Sequence, residues 1–227
     1  LAIQKEVSVS EVKRIVQKWY VLSVLTGRYS SSPETAFYRD IRQINEIGVV
    51  ETLKGIEAAT LSDNFWDVKV VQDLAYTSTI NPTYLVYLAA QVYFKDTSLL
   101  SHNILVSDLI ELAGDVHHIF PKEYLKSNDF SRNLYNQNAN YAYLDTQVNK
   151  SIGKKAPNVY FAEAVKQCDT KQITCGSIAD IDLLKANLEA NCIPFEVCNM
   201  DYTNYEDFLS ERRKLMAQKI KRYYHSL

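Results

Sequence analysis

The sequence predicts a mostly α protein, a helical scaffold into which a short strand–loop–strand–helix element is inserted. Three observations lead there. Only 6 Gly and 5 Pro stand among 227 residues, too few for the many turns of an all-β fold. The first two-fifths of the chain carries apolar residues at helical spacing between recognisable start and stop signals. Near Gly114 that texture breaks, and short apolar runs alternate with a polar loop.

Taken in order, Ser8 followed by Glu11 forms a capping box, in which side chains satisfy the free amides of a helix start. Val12, Ile15, Val16, Trp19 and Leu22 then repeat at helical spacing, and Gly27 supplies the stop. A serine loop leads into Pro33 at a first-turn position, with Phe37, Ile41 and Ile44 as the apolar stripe and Gly48 as the end. Further helices are expected over 51–59, 64–75, 82–94 and 103–112.

The run from Asp115 to Pro121 reads as a strand ending at the pair His117–His118. The Asn-rich stretch 127–139 reads as a loop, and 140–144 has strand composition. Asp145 or Thr146 then caps a short helix carrying Val148, Asn149 and Ile152. Helices resume over 157–167 and 178–189, and Thr203 with Glu206 makes a second capping box. The last helix turns Phe208, Leu215, Met216, Ile220 and Tyr223 inward. The expected organisation is a scaffold over 1–112, the inserted element over 113–156 and a helical region over 157–227, together one compact unit.

Composition narrows the function classes. The net charge is −2, so the molecule as a whole is no polycation. Charge is nevertheless uneven: Gly114–Lys155 and Asp201–Leu227 each hold six Lys/Arg against four Asp/Glu, so any basic face is built from those two segments. The longest nearly unbroken apolar run, Tyr84–Phe94, is too short to cross a bilayer. Cys168, Cys175, Cys192 and Cys198 lack the close pairs of most structural zinc sites, and four free thiols fit a reducing cytoplasm. A zinc staple built on them is a minor alternative.

Of four histidines, two are adjacent at His117 and His118. Neighbours on a strand face opposite ways, but at a strand end both rings can border one cleft. Imidazole binds divalent metals and titrates near neutrality, so the pair can supply one ligand and one general base. Downstream stand Asn140 and, nine residues on, Asn149, followed by Lys150, Lys154 and Lys155.

This pattern resembles the HNH, or ββα-metal (His-Me finger), nucleases, and the nine-residue Asn spacing is that of the HNH domain of CRISPR effector nucleases. More specifically, His117-His118-Ile119-Phe120-Pro121-Lys122 with Asn140 and Asn149-Lys150-Ser151-Ile152 resembles the C-terminal HNH domain of GmrSD-type restriction endonucleases. Leu25–Ser30 is similar to the segment joining the two halves of that family, and Tyr205–Leu209 with Glu211-Arg212-Arg213 to its closing helix. The likeness extends over about 12–223.

The resemblance implies a mostly α fold with an inserted ββα-metal element acting as a metal-dependent DNA endonuclease in restriction or phage defence. His117 and Asn149 align with metal ligands, and His118 with the general base. Asn140 aligns with the residue that braces the loop and orients that histidine. Mg²⁺ or Mn²⁺ suits such a site, and Ni²⁺ and Zn²⁺ are also compatible with His and Asn. Lys150 and Lys154, with Lys155 and Lys122, are candidate phosphate contacts, since a helix start and ammonium groups both favour an anion. The implied partner is DNA, including base-modified phage DNA. The family's N-terminal, nucleotide-dependent ParB-like half has no counterpart here, so the chain is expected to be the C-terminal portion of a longer protein. The alternative is a non-catalytic helical DNA- or protein-binding module with a degenerate HNH site, which the −2 net charge favours slightly.

Overall fold

The computed structural model describes residues 8–112 and 116–227, so Gly114 and Asp115 at the expected strand start lie outside the described residues. Helices dominate, as expected. α1 (Val9–Thr26) starts where Ser8 accepts the Glu11 N–H at 3.2 Å and stops at Gly27, whose φ of 63° is the left-handed conformation glycine tolerates. α2 (Pro33–Ile47) and α3 (Val49–Thr60) follow. A π-helical turn (Phe65–Lys69) then runs into α4 (Val70–Asp73). α5 (Pro82–Tyr93) has Asn81 as its N-cap, accepting from the Tyr84 N–H at 3.0 Å, and α6 (Val106–Glu111) closes the scaffold.

The inserted element consists of β1 (Val116–His118), α7 (Lys122–Lys126), α8 (Arg132–Tyr135), a 3-10 turn (Asn138–Asn140), β2 (Tyr141–Tyr143) and α9 (Thr146–Ile152). The strands are antiparallel, pairing Val116 with Tyr143, His117 with Ala142 and His118 with Tyr141. One short helix, α8, and the start of the 3-10 turn therefore lie within the stretch 127–139 expected to be a loop, and α7 precedes it. α10 (Pro157–Thr170), α11 (Ile181–Ala190) and α12 (Tyr205–Ser226) complete the chain. α12 packs against α1, α4, α5 and the 3-10 turn before β2, so one buried cluster runs from Val21 to Leu227 through all three regions. No helix among the described residues is long and apolar enough to cross a membrane.

Two features differ from the sequence reading. Val16, Phe37 and Ile41, expected inward, are 61%, 48% and 55% exposed. The inward side of α2 is held by Asp40 instead, a buried carboxylate that accepts from Arg28 Nε at 2.8 Å and Tyr29 Oη at 2.8 Å. Tyr29 in turn accepts from Trp19 Nε1 at 2.8 Å, so Arg28 and Tyr29 clamp α2 to α1. The second difference is at α12. α12 starts at Tyr205 with Asn204 as its N-cap, so Thr203, whose hydroxyl donates to Asp201 Oδ1 at 2.6 Å, stands one residue before the cap; Asp201 and Asn204 form a capping box on the preceding 3-10 turn (Tyr202–Asn204).

Candidate nuclease site

β1 ends at His118, but the strand pleat sends the two rings to opposite sides and not into one cleft as the sequence reading expected. His117 turns toward α9, where Asp145 caps the helix start by accepting the N–H groups of Gln147 and Val148 at 2.9 and 3.2 Å. That cap sets the rotation of α9 and brings Asn149 against the strand. His117 Nδ1 and Asn149 Oδ1 lie 2.7 Å apart across 32 residues of sequence. The His117 ring is 3% exposed, its edge packs on Tyr160 with centroids 6.1 Å apart, and its Nε2 is buried without a hydrogen-bond partner.

Burial holds this imidazole neutral, pushing its pKa down from 6.5 to about 4; the bond to Asn149 opposes the shift and neighbouring His118 adds to it. As a hydrogen bond this contact puts the hydrogen on Nδ1 and the lone pair on the buried Nε2; in the other tautomer Nδ1 and Asn149 Oδ1 would present two neutral lone-pair donors, a set that fits a divalent cation with further positions left to water or phosphate oxygen. The four cysteines do not make such a set. All are buried and free, and among the described residues no group of three or more His, Cys, Asp and Glu could hold a metal. Burial pushes the Cys175 and Cys198 thiols up to about 11, which suits unreactive core residues.

His118 occupies the other side, half-buried. Its ring stands edge-on to Tyr141, its cross-strand partner, at 5.0 Å and 89°, and to Tyr135 at 6.4 Å. Nε2 lies 2.9 Å from Asn136 Oδ1, and Nδ1 has no hydrogen-bond partner among the described residues. Its pKa is lowered by burial first and by Lys122, against the opposing bond to Asn136.

Asn140 is fully buried. It accepts the Phe120 N–H at 2.9 Å and donates to the carbonyls of Phe120 and Tyr135 at 3.1 and 3.0 Å, fastening the strand end to the end of α8. It makes no hydrogen bond to His118; the side chain that does is Asn136. Nothing in an Asn-rich stretch distinguishes that residue by sequence.

The candidate phosphate contacts divide. Lys122, Lys150 and Lys154 are exposed, and Lys122 sits 5.9 Å over the Tyr135 ring beside His118. Lys155 is committed to Glu163, with Nζ 2.7 Å from Oε2. The start of α9 is filled by the Asp145 carboxylate, so anion attraction there falls to the lysines and not to free helix amides.

No family model matches the chain, and no solved structure does. It is 27% identical over 226 residues to an uncharacterized protein of Methanocaldococcus jannaschii, MJ0686, a match that covers 90% of this chain and 36% of that protein. The chain thus spans about a third of the length of this relative.

Metal-free protein is expected to lose stability in acid through His117. With its folded pKa near 4 and its unfolded pKa near 6.5, the unfolded chain binds the proton first. The stability present above pH 6.5 is therefore lost as pH falls toward 4, by about 3 kcal/mol at 1.4 kcal/mol per unit. Urea titrations in chelator at both ends of that window, on wild type and His117→Gln, measure the effect as a difference. An equal acid loss in both proteins would contradict the assignment.

Proposed function

We propose that the chain is a metal-dependent DNA endonuclease of the HNH type, related in its site to GmrSD restriction enzymes and acting in the cytoplasm on phage or base-modified DNA. The observation that supports this reading most is the meeting of His117 Nδ1 and Asn149 Oδ1 at 2.7 Å beside a second, half-buried histidine with one ring nitrogen unpartnered.

In this reading His117 and Asn149 hold Mg²⁺ or Mn²⁺, which when bound neutralises charge on the scissile phosphate and on the departing 3′ oxygen. His118 takes a proton from the attacking water through its free Nδ1. Tyr135 and Tyr141 fix the plane of that ring, and Asn140 holds the strand end from which it projects. Exposed Lys122, near His118, and Lys150, next to Asn149 on α9, supply positive charge. The products are a 5′-phosphate and a 3′-hydroxyl.

Supercoiled plasmid incubated with the chain and Mg²⁺ or Mn²⁺ should be nicked and then linearised, and EDTA should stop the reaction. Unmodified and glucosylated DNA offered side by side report substrate preference. Folded protein that shifts DNA in a gel but leaves it intact with every divalent metal would replace the nuclease with a binding module.

A further inference from the structure

We propose that Asn136 is the positioning residue of His118, selecting the tautomer in which Nε2 carries the proton and Nδ1 the lone pair. The chemical use of that lone pair rests on the nuclease reading; the tautomer does not.

A neutral imidazole has one N–H, and which nitrogen bears it is decided by the partner of the other. Among the described residues the hydrogen-bond partner of His118 is Asn136 Oδ1, 2.9 Å from Nε2. A carbonyl oxygen accepts and cannot donate, so Nε2 must present the hydrogen. The remaining neighbours cannot make this choice. Tyr135 and Tyr141 meet the ring as aromatic edges, Lys122 acts on it through charge alone, and both ends of the Asn140 amide are committed to backbone.

Asn136 is itself held in place. It follows the last residue of α8, and its N–H bonds back to the Arg132 carbonyl at 3.1 Å. The preceding carbonyl, that of Tyr135, is gripped by Asn140 at 3.0 Å. A chain of contacts therefore links the buried Asn140 to the ring of His118: Asn140 fixes the end of α8, the end of α8 fixes Asn136, and Asn136 fixes the imidazole. Asn140 orients the histidine at one remove.

For phosphodiester hydrolysis the consequence is definite. As the water oxygen bonds to phosphorus, its proton passes to Nδ1, giving an imidazolium with both nitrogens protonated. The bond to the 3′ oxygen breaks, that oxygen leaves with the electron pair and is protonated by solvent, and the imidazolium returns its proton to water. A ring in the other tautomer has its lone pair on Nε2, facing the Asn136 oxygen, and cannot start the step.

The test uses the 227-residue chain labelled with ¹⁵N-histidine. Long-range ¹H–¹⁵N correlation at alkaline pH distinguishes the protonated from the bare ring nitrogen, with His118→Gln assigning the signal among the four histidines. Wild type should show Nε2 protonated, Asn136→Ala should show a mixture, and Asn136→Asp, which keeps an acceptor oxygen, should restore the single tautomer. In plasmid cleavage Asn136→Ala should lower kcat by about 10- to 100-fold with KM nearly unchanged, and Asn136→Asp should recover most of it. A wild-type ring protonated at Nδ1, or an Asn136→Ala protein with unchanged tautomer and kcat, overturns the proposal. A tautomer that shifts as expected in a chain that cuts no DNA upholds the role of Asn136 and removes the nuclease.

Discussion

His118→Ala is expected to lower metal-dependent plasmid cleavage by about 10²- to 10⁴-fold, the range removed when a positioned general base is lost. The position of the residue makes this a clean experiment. His118 is the last residue of β1, and alanine keeps the pairing with Tyr141 because the ladder uses backbone atoms. The ring is half-buried against the edges of Tyr135 and Tyr141, so truncation should cost only about 1 kcal/mol of stability, within the usual range for single substitutions. It makes no contact with the His117–Asn149 pair, so Mn²⁺ affinity by calorimetry should stay as in wild type, whereas Asn149→Ala should lose it. Rate loss with retained metal and fold separates a base from a ligand and from a core residue. If His118→Ala cuts plasmid as fast as wild type, His118 is not the base, and the unpartnered Nδ1 has no catalytic meaning.

Much of the architecture could be read from local chemistry. Ser8, Gly27, Asn81 with Pro82, and Asp145 mark helix ends because their side chains or backbone freedom satisfy groups that a helix leaves unpaired. His117, Asn140 and Asn149 stand on β1, in the 3-10 turn before β2 and on α9, and the fold brings His117 and Asn149 to 2.7 Å across 32 residues of sequence. What stayed illegible depends on partners distant in sequence. Periodicity identifies the apolar stripe of α2 but not its orientation, and Arg28, Tyr29 and Asp40 turn Phe37 and Ile41 outward. Thr203 and Glu206 have capping-box spacing, yet the Asp201–Asn204 box on the preceding 3-10 turn delays the start of α12 until Tyr205. Lys155 looked like a member of a basic trio until Glu163, on the next helix, neutralised it. Asn136 could be found only once α8 had formed, because its usefulness comes from where that helix ends.

Arg212→Met is expected to destabilise the protein by about 3 kcal/mol or more, the largest loss predicted for any position outside the site. Arg212 is fully buried. Its Nη1 donates to the carbonyls of Ala139 and Tyr141, both at 2.8 Å, and its Nη2 to that of Asn191 at 3.2 Å. Methionine fills a similar volume but offers no donor, so the buried carbonyls of Ala139 and Tyr141 lose their partner at about 1–3 kcal/mol each, while that of Asn191 keeps the Tyr87 hydroxyl at 3.2 Å. Relief of guanidinium burial offsets part of this, since a buried cation is itself costly to desolvate. Arg212→Lys should fall between, because one ammonium cannot copy a planar fork that spans from Tyr141 to Asn191. Lys214→Ala, two residues on and exposed, should change stability by no more than about 0.5 kcal/mol. The two carbonyls held by Nη1 flank Asn140, so α12 fixes the residue that braces the strand end carrying His118. Arg212→Lys should therefore slow cleavage at temperatures where it remains fully folded, while Lys214→Ala should not. Urea unfolding and cleavage rates on the three variants decide the matter. A loss below about 1 kcal/mol for Arg212→Met would mean that water or backbone rearrangement satisfies those carbonyls, and that the closing helix holds the site by apolar packing alone.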